Sequence, residues 1–255
     1  MKMLSYGLNR QDGKVIYYLK TTGSTNRVVC QLAKFHEGET VVVVADHQTS
    51  GRGKGERIWY SHPGDSLCFS VLLRPNVEIE RIYQVTLVAA VAVHEAIQSV
   101  CGLSAGIKWP NDLLINGKKC CGILSELQMT EMNEVDYVVV GIGINVSQQF
   151  SQFNSEVSHR ATSLSIESGG YVDRMEVFSK VIDRIDFRIS EWGSKGFSPC
   201  YEIIKKNSHS VGRSVTINTG IHEISGSVDA ICSDGSILIK DQKSIYHQLH
   251  YGELI

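Results

Sequence analysis

The sequence predicts an α+β fold, in which helices cover a mixed β-sheet and a small all-β unit follows at the C-terminal end. Two apolar runs, at residues 41–45 and 67–73, have the length and composition of buried strands. Residues 81–101 are apolar nearly all round, which indicates a helix buried against the sheet and ending at Gly102. Beyond residue 210 the chain changes to short alternating runs separated by glycine, a pattern typical of an all-β unit.

The other elements of the first unit follow from local signals. Hydroxyl side chains within residues 22–24 are N-cap candidates for a first helix, whose buried face is predicted to contain Val28, Val29, Leu32 and Phe35. Residues 135–146 predict a strand that runs through Gly141-Ile-Gly-Ile-Asn145. Asp173, with Glu176 three residues later, predicts a capped helix start. The buried face of that helix is expected to contain Met175, Phe178, Ile182, Ile185, Ile189 and Trp192.

The C-terminal unit is predicted from four short runs, at residues 214–217, 224–231, 236–239 and 244–249. The turns between them are expected at Gly220, Gly226 and Asp234-Gly235. We therefore divide the chain into a main domain at residues 1–208 and a small β-barrel at residues 209–255.

Composition and charge exclude several classes of protein. With 25 Lys and Arg against 27 Asp and Glu, the net charge of −2 gives no bulk attraction to nucleic acid or anionic membranes. The longest apolar run, residues 87–93, is far shorter than the ~20 residues of a membrane span, and the N-terminus has no apolar signal-peptide core. The seven cysteines lack metal-ligand spacing and are expected to be reduced, mostly buried thiols. These features predict a cytoplasmic protein.

A short basic loop is the first candidate for a binding site. Residues 49–59 read Thr-Ser-Gly-Arg-Gly-Lys-Gly-Glu-Arg-Ile-Trp. The cations Arg52, Lys54 and Arg57 repel one another unless an anion lies among them, and the alternating glycines let the backbone approach a ligand closely. The loop is therefore interpreted as wrapping a phosphate or a carboxylate. A solvated basic loop is the alternative.

A second motif, Lys108-Trp109-Pro110-Asn111-Asp112, precedes a predicted hairpin. Asn116-Gly117 between two apolar runs predicts a type I′ turn. If side chains alternate strictly, Lys119 and Cys121 share one face of the second strand, and Lys118 and Cys120 share the other. One of the two lysines must then face the covered side of the sheet, where it needs an anionic partner.

In this order, the basic loop, the Lys-Trp-Pro-Asn-Asp block and the Gly-Ile-Asn segment form a highly specific set, which resembles the motifs of the biotin–protein ligase family. The resemblance covers almost the whole chain: Ser24-Thr25-Asn26, Gln48 before Gly51-Arg52-Gly53, Trp59 before Ser61-His62-Pro63-Gly64, Lys119 with Gly122-Ile123-Leu124, and Ala161-Thr162-Ser163-Leu164. It implies a biotin/lipoate ligase-like catalytic domain and an SH3-like C-terminal barrel. The closing strand of that barrel would be formed by Gly252-Glu253-Leu254.

The resemblance also implies an activity: an ATP-dependent biotin–[acetyl-CoA-carboxylase] ligase that forms biotinyl-5′-AMP and then biotinylates a specific lysine of a carrier protein. The implied catalytic residues are Lys119, Arg52 and Lys54, with Lys119 between the biotin carboxyl and the α-phosphate. Biotin is expected to bind at Ser24, Thr25, Asn26, Gln48, Gly51, Arg52, Gly53, Lys54, Lys119 and Gly122. ATP and the adenylate are expected to bind at Arg52, Lys54, Arg57, Trp59, Asn111, Lys119 and Asn145. Asp112 either orients a lysine or helps to hold Mg²⁺, and both roles stay open.

The implied substrates are ATP, with Mg²⁺, and biotin, and the implied partner is the biotin carrier domain of acetyl-CoA carboxylase or of another biotin-dependent enzyme. Only about twenty residues precede Ser24, whereas the three helices of a DNA-binding domain need more than about thirty. We therefore expect a stand-alone enzyme that binds neither DNA nor membranes, and the resemblance allows a homodimer. The alternatives are a lipoate–protein ligase, which shares the fold and the adenylation step, and a non-catalytic biotin sensor.

The basic loop departs from the family's commonest bacterial form, Gly-Arg-Gly-Arg-Arg-Gly-Arg. Lys54 replaces the second arginine, Gly55 the third, and Glu56 the last glycine. Lysine keeps the charge but loses the bidentate fork of arginine, so how tightly the adenylate is retained stays open, whereas its formation is still expected. Glu56 is expected to face solvent, because a carboxylate beside the phosphate would oppose adenylate binding.

Overall fold

The structure is a computed structural model that describes residues 5–11, 13–55, 57–132, 134–220 and 222–254. Within these ranges the larger sheet has eight strands. They are β1 (Ser5–Gln11), β2 (Lys14–Thr22), β3 (Thr40–Gln48), β4 (Ser66–Leu73), β5 (Gly106–Lys108), β6 (Asp112–Ile115), β7 (Lys118–Met129) and β8 (Val135–Asn145). Their order is β1-β2-β3-β4-β8-β7-β6-β5. Only β2 and β3 run parallel, so the sheet is mixed, as predicted.

Five α-helices accompany this sheet in the described ranges: α1 (Thr25–Leu32), α2 (Gln84–Cys101), α3 (Leu164–Ser168), α4 (Arg174–Lys195) and α5 (Ser198–Asn207). Short 3₁₀ turns lie at Ala33–Phe35, Ile79–Arg81, Phe150–Gln152 and Ser158–Arg160. As predicted, α2 ends at Gly102, which has a left-handed φ of 67°. The start of α4 is also confirmed, because the Asp173 side chain accepts hydrogen bonds from the backbone of Met175 and Glu176.

Helices cover both faces of the sheet, which explains the continuous valine run of β3. Val42 and Val44 join the core under α2 and α4, whereas Val41 and Val43 pack beneath α1. Because both faces are buried, an uninterrupted apolar sequence is favoured over an alternating one. The α1 side is covered over a smaller area, and the rest of that face forms the floor of a cleft.

Helix α2 is the most apolar helix described. By length and composition alone it would be able to cross a membrane, but 67% of its residues are buried inside the protein. They pack on the sheet and against α4. The apolar character of α2 is accounted for by its place in the core.

Two residues expected in helix faces lie outside them. Phe35 is 71% exposed, because α1 ends at Leu32 and the chain continues as a 3₁₀ turn, in which the neighbouring Ala33 is the buried residue. Met175 is 40% exposed in the first turn of α4, whereas the rest of the predicted face, from Phe178 to Trp192, packs in or against the core.

The C-terminal unit is a five-stranded antiparallel sheet, consistent with an SH3-like barrel. Its strands are β9 (Ser214–Asn218), β10 (Glu223–Ile231), β11 (Ile237–Asp241), β12 (Tyr246–Leu249) and β13 (Glu253–Leu254), in the order β12-β11-β10-β9-β13. The turn predicted at Gly226 is wrong: this glycine lies within β10, where a Cβ would overlap the carbonyl of Lys240 on the neighbouring strand.

The small sheet is anchored to the main unit through the turn at Asp234 and Gly235. The indole of buried Trp109 donates to the Gly235 carbonyl at 3.0 Å, and the side chains of Tyr83 and Gln84 donate to the Asp234 carbonyl at 3.0 and 2.8 Å. Trp109 is therefore a core aromatic that also joins the two units. The domain boundary at residue 208 stays a prediction.

Candidate active site

A cleft of about 790 Å³ opens on the α1 side of the larger sheet. Three glycines form its floor. Gly122 of β7 lies opposite Gly143 of β8, and Gly141 of β8 lies between Leu124 and Ser70 on the neighbouring strands. A cleft of this volume is within the range that binds small molecules.

Each floor glycine makes room for a polar or aromatic side chain of the site. A Cβ at Gly141 would overlap the Asn26 amide, and one at Gly143 would overlap the Trp59 indole. At Gly122 a Cβ would lie 3.1 Å from both Nζ of Lys119 and the Trp59 ring. The segment Gly-Ile-Gly-Ile-Asn is therefore a strand with a bare upper face, and not a dinucleotide-binding turn.

The basic loop forms a narrow hairpin over this floor. The backbone N–H of Gly53 donates to the Arg57 carbonyl at 2.8 Å, and that of Trp59 donates to the Gly51 carbonyl at 3.0 Å. Gly51 does not line the cleft; glycine is required there because a Cβ would overlap the Trp59 carbonyl. Glu56, whose orientation was predicted, lies outside the described residues.

The hairpin of β6 and β7 positions Lys119. The Asn116-Gly117 turn is confirmed, with left-handed φ values of 50° and 78°. The predicted alternation after it is wrong, because the register shifts by one residue where Leu114 pairs with Lys119 but Leu113 pairs with Cys121. This β-bulge sends both Cys120 and Cys121 into the core.

Because of the bulge, Lys119 shares the cleft face with Gly122 and not with Cys121. The Lys119 ammonium lies 2.6 Å from Oδ1 of Asp112 and 5.8 Å from the centre of a Trp59 ring. Asp112 thus contacts a lysine, one of the two roles left open for it. Among the residues described, no three His, Cys, Asp or Glu side chains come together as a metal site.

Cations are concentrated at one end of the cleft. Lys54, Arg57, Lys108, Lys119 and Arg160 all line it. Burial lowers the pKa of Lys108. The nearby Asp112 carboxylate raises this pKa, whereas the nearby charges of Lys119, Arg57 and Arg160 lower it further. Burial is likewise the main cause that lowers the pKa of Lys54. Packing positive charges together in a partly buried site favours an anionic ligand among them.

The C-terminal strand β13 reaches into this basic end. The Glu253 carboxylate pairs with Arg57, and the carbonyl of Gly252 accepts a hydrogen bond from Lys54. Two cations of the basic loop are thus held by the C-terminal unit. Glu253 and Leu254 line the cleft, so both structural units contribute to it.

The other end of the cleft is a hydrogen-bonding pocket at the N-terminus of α1. The backbone N–H of Thr25 donates to Oε1 of Gln48 at 2.8 Å. Asn26 donates to Glu126 at 2.6 Å, and Glu126 pairs with Arg52 of the basic loop. Arg52 is therefore directed to the pocket and not to the cluster of cations.

Two further asparagines are held by the protein itself. Asn111 donates to the Ile123 carbonyl at 2.9 Å. Asn145 donates to the Thr162 carbonyl at 3.0 Å and accepts from Gln148 at 3.1 Å. Both line the cleft, and their bonds fix the backbone on either side of Lys119.

All seven cysteines are free thiols in this structure, and four of them are buried. Burial raises the pKa of Cys68, beneath the cleft, to about 11 and that of Cys120 to about 12. Because the thiolate is the reactive form, these thiols are inert near neutral pH.

The family model for the Biotin/lipoate A/B protein ligase family matches residues 18–145. The chain belongs to this family. It is 37% identical over 243 residues to the bifunctional ligase/repressor BirA of Bacillus spizizenii, covering 95% of this chain and 74% of that protein. It is 30% identical over 227 residues to the biotin–[acetyl-CoA-carboxylase] ligase of Paracoccus denitrificans, covering 87% of this chain and 92% of that one.

Solved structures of the family share the fold. The biotin protein ligase from Aquifex aeolicus in complex with biotin and ATP superposes with a TM-score of 0.81 at 32% identity, and the match covers 94% of this chain and 97% of that one. The catalytic architecture of the family, including the C-terminal unit, is therefore present.

All the family-motif residues predicted for the site line the one cleft except Gly51. Their individual roles stay predictions. Sequence reasoning missed Ser70, Lys108, Glu126, Arg160 and Glu253. Signals were available for two of them. Lys108 belongs to the Lys-Trp-Pro-Asn-Asp motif, and Ser70 is a hydroxyl within an otherwise apolar strand that is buried throughout, where such a group must find a hydrogen-bond partner.

Proposed function

We propose that the chain is an ATP-dependent biotin–protein ligase, which adenylates biotin and transfers it to a lysine of a carrier protein. The observation that carries the proposal is the position of Lys119 on the glycine floor. A hydrogen-bonding pocket around Thr25 and Gln48 lies in the same cleft as a cluster of cations. Such a cleft accommodates a neutral cyclic urea at one end and a nucleotide phosphate at the other.

In the first step an oxygen of the biotin carboxylate attacks the α-phosphorus of ATP, and pyrophosphate leaves with the electrons of the broken P–O bond. Two anions must approach each other, so fixed positive charge is needed where they meet. Lys119 supplies it, and Asp112 orients the ammonium. Lys54, Arg57 and Lys108 neutralise the phosphates.

Magnesium enters this scheme as part of the ATP substrate. Mg²⁺ bound with nucleotides is usually held by one or two carboxylates together with phosphates and water. Asp112 is the carboxylate beside Lys119. One carboxylate at this position fits a Mg²⁺ ion whose other ligands would be the phosphates of ATP and water.

In the second step the amine of the carrier lysine attacks the acyl carbon, AMP leaves, and the amine loses a proton. The carrier is inferred to be the biotin carrier domain of acetyl-CoA carboxylase or of a related biotin-dependent enzyme. We place the reaction in the cytoplasm. A homodimer stays a prediction, to be measured by sedimentation.

We also infer that the chain does not bind DNA sequence-specifically, because its net charge is −2. Fluorescence anisotropy with duplex DNA at about 0.15 M salt is expected to show no saturable binding. Saturable binding to one sequence that survives about 0.2 M salt would contradict this inference.

Biotin-dependent release of pyrophosphate from ATP tests the proposed chemistry. We expect release with biotin and none above background with lipoate at the same concentration. Release with lipoate alone would favour a lipoate–protein ligase. Tight binding of biotin without any release would favour a non-catalytic sensor, which the Lys119–Asp112 pair and the cation cluster argue against.

A further inference from the structure

A chain of hydrogen bonds runs from Glu126, whose side chain is 31% exposed, through the buried Asn26 and Ser70 to Thr25 in the wall of the cleft. We propose that Ser70 and Glu126 are positioning residues that fix the direction of these bonds, so that Thr25 presents a hydrogen-bond acceptor to a ureido N–H of biotin. The inference rests on the proposed function, since biotin must occupy the pocket. It concerns which partner donates at each contact.

The direction of the chain is set at Glu126. One carboxylate oxygen accepts from the guanidinium of Arg52, a group that can only donate. The other accepts from Nδ2 of Asn26 at 2.6 Å. The Leu124 carbonyl, 3.3 Å away, is a second acceptor for the same amide nitrogen. With two acceptors on this side, the NH₂ of Asn26 must face them, and its Oδ1 must face the opposite way.

The direction then passes through Ser70. Its Oγ lies 2.5 Å from Oδ1 of Asn26, and an amide oxygen accepts but cannot donate, so the single hydroxyl proton of Ser70 lies in this bond. Oγ1 of Thr25 lies 2.7 Å from the same Ser70 oxygen. Since the Ser70 proton is already used, Thr25 must be the donor there.

The consequence is that the Thr25 hydroxyl has no proton left for the cleft. Oε1 of Gln48 lies 3.1 Å from this hydroxyl and accepts the Thr25 backbone N–H at 2.8 Å, and the shorter contact of 2.7 Å with Ser70, which has no proton of its own left, takes the hydroxyl proton of Thr25. Thr25 therefore offers lone pairs, which match the N–H groups of a cyclic urea. The bonds resist reversal by water, because Ser70, Asn26 and Thr25 are at most 4% exposed and an unsatisfied buried polar group is costly.

The sequence pattern supports a dedicated role. On the cleft side of the sheet, Ser70 lies opposite Gly141, and Gly141 lies opposite Leu124. The bare glycine between them leaves the space in which the Asn26 amide lies. A side chain at residue 141 would close that space and break the chain of bonds.

Calorimetric titration of biotin into the full chain tests the proposal. Ser70→Ala removes the relay, and the Kd for biotin is expected to rise about tenfold or more, while the KM for ATP stays unchanged. Ser125→Ala is the matched control: its hydroxyl accepts from Thr86 at 2.9 Å outside the cleft, and its removal is expected to leave both constants unchanged.

A ligand analogue separates direction from mere packing. In the two cyclic carbamate analogues of biotin, one ureido N–H is replaced by a ring oxygen, an acceptor. Wild type is expected to bind one of the two about tenfold or more less tightly than biotin, because two acceptors then face each other at Thr25. In Ser70→Ala the freed Thr25 hydroxyl can donate, so this discrimination should shrink. Glu126→Gln, which adds a donor at the start of the chain, should shrink it too.

The outcomes are distinguishable. If wild type does not bind biotin, the proposed function and this inference fail together. If wild type binds biotin but Ser70→Ala has the same affinity and the same discrimination against both carbamates, the inference alone is overturned. A loss of biotin affinity in Ser70→Ala with discrimination unchanged also overturns it, because that result reflects packing and not direction.

Discussion

Replacing Lys119 by alanine is expected to slow adenylate formation by at least about a hundredfold. Its ammonium lies 2.6 Å from Asp112 and would contact both the biotin carboxyl and the α-phosphate. One hydrogen bond to a charged group contributes ~1.5–3 kcal/mol, so two contribute ~3–6 kcal/mol, which corresponds to a factor of about 10² to 10⁴ in rate.

The variant also leaves Asp112 without its partner. A carboxylate about 6 Å from the phosphate repels it by ~3 kcal/mol at an effective dielectric constant near 20. The double variant Lys119→Ala/Asp112→Asn removes this repulsion. Measured with ATP in the absence of Mg²⁺, where Asp112 acts through its charge alone, ATP binding is expected to recover. The rate of adenylation, measured with Mg²⁺, is not expected to recover, because the charge between the two reacting anions is still missing.

Rapid-quench measurement of pyrophosphate formation in a single turnover gives the rate of the first step directly. Lys118→Ala is the matched control, because Lys118 lies outside the cleft with its ammonium 5.2 Å from the Phe150 ring centre; its rate is expected to be near that of wild type. Thermal unfolding followed by circular dichroism checks the fold of each variant. If folded Lys119→Ala forms adenylate within about tenfold of the wild-type rate, Lys119 does not have the proposed role.

Two further predictions concern the basic end of the cleft. Because burial lowers the pKa of Lys54 and of Lys108, adenylate affinity should be full at low pH, where both lysines are charged, and should fall as the pH rises through these lowered pKa values, before an ordinary lysine would lose its proton. Lys54→Arg keeps its charge, so it should flatten this fall when affinity is measured by calorimetry at each pH. An unchanged pH profile in Lys54→Arg would contradict the assignment. Because a bound adenylate would hold the cations of the basic loop, we expect biotin plus ATP to slow trypsin cleavage after Arg57, and we expect Glu253→Ala, which loses the contact between Arg57 and β13, to accelerate it. Equal cleavage with and without the ligands would contradict the expectation that the adenylate orders the basic loop.

Much of the fold could be predicted because the relevant signals are local. The valine run of β3, the apolar α2 with Gly102 at its end and the Asp173 cap each depend on residues close in sequence. The Asn116-Gly117 turn was likewise predictable. The bulge after it was not, since it depends on how Cys120 and Cys121 both fit into the core, and that is decided by packing and not by strand alternation.

The site was predictable where family motifs mark it and not elsewhere. The contact between Glu253 and Arg57 joins residues 196 positions apart, and no local pattern indicates such a pairing. The hydrogen-bond chain through Ser70 also depends on strands β4 and β7 coming together with helix α1. Phe35 shows that a local signal can also mislead: its spacing matches the helical period of α1, but the helix ends at Leu32, about one turn earlier, so Phe35 is not part of the buried face.

The intact mass of a biotin carrier domain, measured after incubation with the chain, ATP, Mg²⁺ and biotin, tests the central claim most directly. We predict a mass increase of one biotinyl group, which is absent without ATP and absent when the acceptor lysine of the carrier is replaced by arginine. With lipoate in place of biotin, the mass should not change. An unmodified carrier in the complete mixture, or modification by lipoate instead of biotin, would contradict the assignment of this chain as a biotin–protein ligase.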